Sequence, residues 1–129
     1  MDVVLSPRSD KPFYAQIAEQ IAAQIVRGDL APGSALPPIR TIARDLDVSV
    51  ITVKKAWEEL ERAGLIDAIV GKGSFVASHP HDQLADKRES MALARLAKDL
   101  AFYRGLGLSR DELVDLVRRV YPNETDAVQ

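Results

Sequence analysis

Apolar residues return every three or four positions through "PFYAQIAEQIAAQIVRG" (residues 12–28), at Tyr14, Ile17, Ile21 and Ile25, and this spacing predicts an amphipathic helix. Pro12 suits its first turn and Gly28 its end. "DLAPGSALP" then reads as a connection with Pro32-Gly33 as the turn signal. "PIRTIARDL" (residues 38–46) carries a short stripe, Ile39, Ile42, Ala43 and Leu46, while Arg40 and Arg44, four apart, share another face. Asp47-Val48 leaves room only for a tight connection. Ser49 is a good N-cap for a helix that runs to about Ala63 and stops at Gly64. In "LIDAIVGKGSFVAS" two apolar runs flank Gly71-Lys72-Gly73, the pattern of a β-hairpin. "HPHDQ" breaks the pattern near residue 79. A long helix follows from about Gln83 to Arg104, with Leu93, Leu96, Ala97, Leu100 and Tyr103 along one side. "GLGL" ends it, and Ser109 with Glu112 forms a capping box for a last helix over residues 110–121, striped by Leu113, Leu116, Val117 and Val120.

Two short helices joined by a minimal turn, the second one capped, make a helix-turn-helix, and a hairpin directly after it is a wing. The expected fold is therefore mainly α (α+β): a winged helix-turn-helix domain over residues 1–78, then a two-helix C-terminal tail over residues 79–129. A two-helix unit buries little alone. The tail's stripe, Leu93, Leu96, Leu100, Tyr103, Leu113, Leu116, Val117 and Val120, is accordingly assigned to dimerisation of two copies through a helical hairpin. Room for a small-molecule effector would lie between the tails, with no polar constellation to identify it.

The helix after Ser49 divides its surface in an unusual way. At about 100° per residue, Val53, Ala56, Leu60 and Ala63 cluster on one side with Trp57 at the border, which marks the core face. Val50, Ile51, Lys54, Lys55 and Glu58 occupy the opposite arc, so a β-branched apolar pair stands outward beside two lysines. The first residues of a recognition helix meet base edges in the major groove, where lysine donates to guanine and apolar groups touch the thymine methyl. Thr52 and Ser49, with the free N–H groups of the helix start, suit phosphate. Arg40, Arg44 and Lys72 bracket that helix.

Composition changes this picture only at the margins. The 129 residues are 47% apolar, enough for a core, and carry a formal net charge of −2. Residues 38–78 hold six basic and six acidic groups, so a nucleic-acid face must come from spatial arrangement and not from overall charge. There is no cysteine, which excludes disulfides and thiolate metal sites and fits a cytoplasmic location. The start of the chain lacks the apolar run of a signal peptide, and no stretch approaches a membrane span. His79, His81 and Asp82 give too few ligands for a metal site, and Gly71-Lys72-Gly73 lacks the spacing of a phosphate-binding loop. Trp57 and Phe75 read as core. No catalytic constellation and no cofactor site is evident, so an enzyme is not expected.

The segment "LPPIRTIARDLDVSVITVKKAWEELERAGLIDAIVGKGSFV", with "PFYAQIAEQIAAQIVRGDLAPGSALP" before it, resembles the winged helix-turn-helix of GntR-type bacterial transcription regulators over residues 11–77. The Leu-Pro-x-x-Arg lead, the Thr-Val pair, the Leu-Glu-x-x-Gly-Leu-Ile exit and the Gly-x-Gly-x-Phe-Val wing occur in register. The short helical tail is similar to that of the YtrA-type subfamily. The resemblance implies a homodimer that binds an inverted-repeat operator in double-stranded DNA, usually as a repressor and often at transporter operons. It also implies DNA contacts from Arg40, from Ser49, Thr52 and Lys54, and from Gly71 and Lys72 at the wing tip. Many relatives carry arginine where this chain has Val50, a departure that favours an apolar contact with thymine there. The competing reading from another class is a winged-helix module for protein–protein interaction, which would lack a steep salt dependence. A detached front part of an aminotransferase-type regulator fits the well-capped tail poorly.

Overall fold

In the computed structural model, which describes residues 1–78 and 81–123 apart from the side chains of 81 and 82, α1 (Phe13–Arg27) begins directly after Pro12. It ends at Gly28, whose φ of 87° lets its N–H turn back to the carbonyls of Gln24 and Ile25. The buried face of α1 is Ile17, Ile21 and Ile25. α2 (Ile39–Leu46) contributes Ile42 and Ala43 to the same core, and α3 (Val50–Arg62) contributes Val53, Ala56, Trp57 and Leu60. The α2–α3 turn is tight because Asp47 takes a left-handed conformation, φ 55°, which a short polar side chain tolerates. Val48 N–H then reaches Ala43 O at 3.0 Å. Ser49 caps α3 by accepting the Thr52 N–H at 3.1 Å.

Ala63, expected on the core face of α3, is exposed instead. The helix ends at Arg62, and Gly64 (φ 74°) redirects the chain so that Leu65 and Ile66 fill the buried places. These lead into β1 (Ile66–Ile69), which pairs antiparallel with β2 (Gly73–Val76) in the register Ile66 to Val76 and Ile69 to Gly73. The wing also has a partner in the connection between α1 and α2, a segment whose residues predict a loop. Ala35 bridges Phe75, Leu36 N–H donates to Ser74 O at 2.9 Å, and Val76 N–H donates to Ser34 O at 2.9 Å. β2 is thereby held on both edges, and Phe75, expected in the core, lies half-buried beside that bridge.

The N-terminal arm was not expected to be ordered against α1. Gln16, Gln20 and Gln24 are four apart, a rise of about 6 Å along a helix, which matches two residues of extended chain. Gln24 Nε2 donates to Asp2 O (2.7 Å). The Gln20 amide both accepts from Val4 N–H and donates to Val4 O, and the Gln16 amide does the same with Ser6. Alternate arm residues face the glutamines, and Val3 and Leu5 between them pack on the core. Gln16 and Gln24 are buried, and among the described residues no fully buried side-chain nitrogen or oxygen is left without a partner, which makes the arrangement tolerable.

Residues Met1–Arg88 form one compact unit and those from Glu89 a second. α4 (His81–Gly105) starts just after the expected break near residue 79. Its first turns belong to the winged unit, where Leu84 packs on the core and Lys87 Nζ donates to Ala63 O at 3.1 Å. In the second unit, the remainder of α4 is followed by α5 (Arg110–Val120), which carries the expected capping box between Ser109 and Glu112. The expected hairpin is open. No residue of α5 is buried, and the helices leave a groove between them instead of packing along their lengths. Two narrow apolar stripes have little to bury against each other. No helix among the described residues is long and apolar enough to cross a membrane.

Candidate nucleic-acid interface

The start of α3 presents its side chains as the helical wheel requires. With Val53 and Trp57 turned into the core, Val50 and Ile51 are 45% and 77% exposed, and Lys54 is exposed beside them. Ser49 and Thr52 are tied to each other. Besides the cap, their hydroxyls lie 2.8 Å apart. The Val50 and Ile51 N–H groups, at the positive end of the helix dipole, remain available to an anion. Lys55 shares the outward arc but reaches back to α1, with its Nζ 4.0 Å from the centre of the Tyr14 ring. That cation–π contact holds it away from the free set.

Arg40 and Lys72, more than thirty residues apart in sequence, line the same cleft of about 340 Å³, together with Ser74 and the rims of Pro38 and Trp57. Neither cation has a carboxylate partner among the described residues. Two unpaired cations and a hydroxyl at one concavity have the chemistry of a phosphate seat. Lys72 stands at the tip between β1 and β2, where Gly71 (φ 78°) and Gly73 (φ 106°) make the reversal and Lys72 N–H closes on Ile69 O at 2.9 Å. Arg44 lies apart, exposed, with its Nε 3.9 Å from Asp45 Oδ1. Sequence reading missed Ser74, and also Val70, a fully exposed apolar residue at the wing tip. An apolar residue next to the turn glycines was the available signal.

In the second unit, Leu96, Leu100, Leu113 and Val117 line the groove between α4 and α5, a space of about 500 Å³. Leu93, Tyr103, Leu116 and Val120 do not line it, although Leu93, Tyr103 and Val120 are exposed. The open angle between the helices brings in Leu108 and Val114, which stripe counting had left out, and places Arg104, Arg110 and Arg118 at the rim. Among the described residues no group of three His, Asp or Glu side chains could hold a metal ion. His79 and the side chains of His81 and Asp82 lie outside the described residues.

Residues 13–76 match the family model described as bacterial regulatory proteins, gntR family. The chain is 34% identical over 113 residues to the HTH-type transcriptional regulator YhcF of Bacillus subtilis, covering 86% of this chain and 91% of that protein. It is 31% identical over 110 residues to the HTH-type transcriptional repressor YtrA of the same bacterium, covering 84% of this chain and 85% of the repressor. Among solved structures, AraR(DBD) in complex with operator ORX1 superposes with a TM-score of 0.53 at 32% identity, over 60% of this chain and 96% of that one.

Proposed function

The chain belongs to the gntR family of bacterial regulatory proteins, among relatives of the YtrA type, and on that footing we propose that it is a homodimeric repressor that binds an inverted-repeat DNA operator. It is a transcriptional regulator and not an enzyme. The observation that carries the DNA reading is the convergence of Arg40 and Lys72 on one cleft in the unit whose recognition helix starts with exposed Val50, Ile51 and Lys54. In this reading the start of α3 enters the major groove, where Lys54 donates to guanine O6 and N7. The first N–H groups of α3 hold a phosphate, and the wing tip of Gly71 and Lys72 tracks the adjacent minor groove. A solved relative bound to its operator supports the same use of this fold.

Dimerisation is assigned to the tail. The groove floor of Leu96, Leu100, Leu113 and Val117 and the exposed Leu93, Tyr103 and Val120 amount to more apolar surface than a two-helix unit normally leaves to water. A two-fold dimer places its recognition helices about one DNA turn apart or somewhat more, which is why the operator is written as an inverted repeat. The site of action is the cytoplasm, and a transporter operon is the proposed target, following the YtrA-type subfamily.

The test is selection of a random duplex library by the full chain, followed by fluorescence anisotropy on the winning duplex and a scrambled one at two salt concentrations. A two-fold-symmetric winner, bound more tightly than the scramble and with affinity falling steeply with salt, is expected. A library that returns no preferred sequence, with binding indifferent to salt, refutes the proposal and leaves the protein-interaction module as the better reading.

A further inference from the structure

The first turn of α3 holds two groups that ordinary structural roles leave unexplained. Ile51 is 77% exposed and Val50 45% exposed, so neither contributes a core contact of note. β-branched residues also lower helix propensity relative to the lysine or glutamate an exposed turn would otherwise carry. Their neighbours sharpen the question. The Ser49 and Thr52 hydroxyls are engaged with each other at 2.8 Å, and Lys55 is drawn over the Tyr14 ring. The Ser49–Thr52 pair shares one hydrogen bond and keeps a single spare O–H donor, Lys54 is the one long side chain at the start of this helix left to reach a base edge, and the widest exposed surface there is aliphatic.

We propose that Val50 and Ile51 read C5-methyl groups of pyrimidines in the major groove, so that operator specificity at these positions is a methyl code and not a hydrogen-bond code. The inference rests on the DNA-binding reading above and names the feature of the DNA that this face recognises. Every other major-groove base edge at such a position presents a donor or acceptor that an aliphatic side chain would strip of water without replacing its partner. The thymine methyl is the exception, and the methyl of 5-methylcytosine occupies the equivalent place. The stiffness of β-branched side chains adds to selectivity, because little rotamer freedom is lost when they dock. Two adjacent residues about 100° apart on the helix reach neighbouring base pairs, so one or two methyls per half-site are read.

The experiment replaces each thymine of the selected operator with uracil, one position at a time, and measures affinity of the full-length protein by anisotropy. Wild type, Ile51→Ala and Val50→Ala are compared, both substitutions being at exposed positions. Losing one buried methyl should weaken wild-type binding about fourfold, and roughly fifteenfold when both half-sites are changed together. The loss should fall on one or two positions per half-site and disappear in the variant that lacks the matching side chain. At those positions a 5-methylcytosine duplex should bind about fourfold better than its cytosine counterpart. Uracil that is silent everywhere overturns the methyl code while leaving specific DNA binding intact. So does an equal uracil penalty in both alanine variants, which would trace the effect to DNA shape. Failure of the DNA reading itself would look different, because no operator would emerge from selection.

Discussion

Removing Arg40 and Lys72 together tests whether their shared cleft is a phosphate seat. Both line the same space of about 340 Å³ with Ser74, and neither is neutralised by a carboxylate among the described residues. Each phosphate neutralised by protein contributes about −0.9 to the slope of log affinity against log salt. If the two cations clamp one phosphate, a two-fold dimer loses two such contacts in Arg40→Ala/Lys72→Ala, and the slope should become shallower by about 1.8. Between about 50 and 200 mM salt, the advantage of wild type over the double variant should then shrink roughly tenfold. Each single variant keeps one cation in the cleft and should change the slope by less than half as much. The assay is fluorescence anisotropy on the selected operator across that salt range, with thermal melts to show that these exposed substitutions leave the fold intact. A double variant with the wild-type slope would refute the cleft's contact with DNA. A decrease of about 3.6 would mean that the two residues hold separate phosphates. Arg44→Ala is the internal comparison, and its proximity to Asp45 at 3.9 Å predicts a smaller change.

Other expectations follow from local geometry. Ser49→Ala removes the acceptor for Thr52 N–H and should cost about 1 kcal/mol, a fall in Tm of roughly 4–8 °C; unchanged unfolding curves would show the cap to be idle. Gln16→Ala strands the groups that Gln16 serves at Ser6 N–H, Ser6 O and Lys11 O and should cost about 2 kcal/mol in urea unfolding, whereas the change at half-buried Gln20, whose hydrogen bonds to Val4 lie at the surface, should cost less than about 1 kcal/mol when made to alanine. Equal losses would contradict the part assigned to burial. Leu100→Glu combined with Val117→Glu places charge on the floor of the tail groove and should give monomers in light scattering, with dimers that persist locating the contact elsewhere.

Much of the fold was legible along the chain because its causes are local. Pro12, Gly28, Ser49, Gly64 and the Ser109–Glu112 box act within one or two turns, so helix limits came within a residue or two. The outward arc of α3 followed from periodicity alone, and Val50 and Ile51 are exposed as that arc requires. The bridge that holds the outer edge of β2 was not legible. Ala35 has no strand-like neighbours, and its pairing with Phe75 depends on where the chain returns forty residues later. The arm was similar, though Gln-x-x-x-Gln-x-x-x-Gln on one helix face was a signal that could have been read as a ladder for an extended strand.

The order of helices, the turn between α2 and α3, the hairpin tip and the division of α3 into an inner and an outer face are written along the chain. These depend on caps, glycines with positive φ and the period of apolar residues, all of which act between near neighbours. Which cations converge depends instead on packing. Arg40 and Lys72 meet in one cleft and Lys55 is turned onto Tyr14, because the packing of α1, α2 and the wing around Trp57 sets distances that no spacing along the chain encodes. In the tail, α4 and α5 leave a groove between them and no residue of α5 is buried, because two narrow apolar stripes have little to bury against each other.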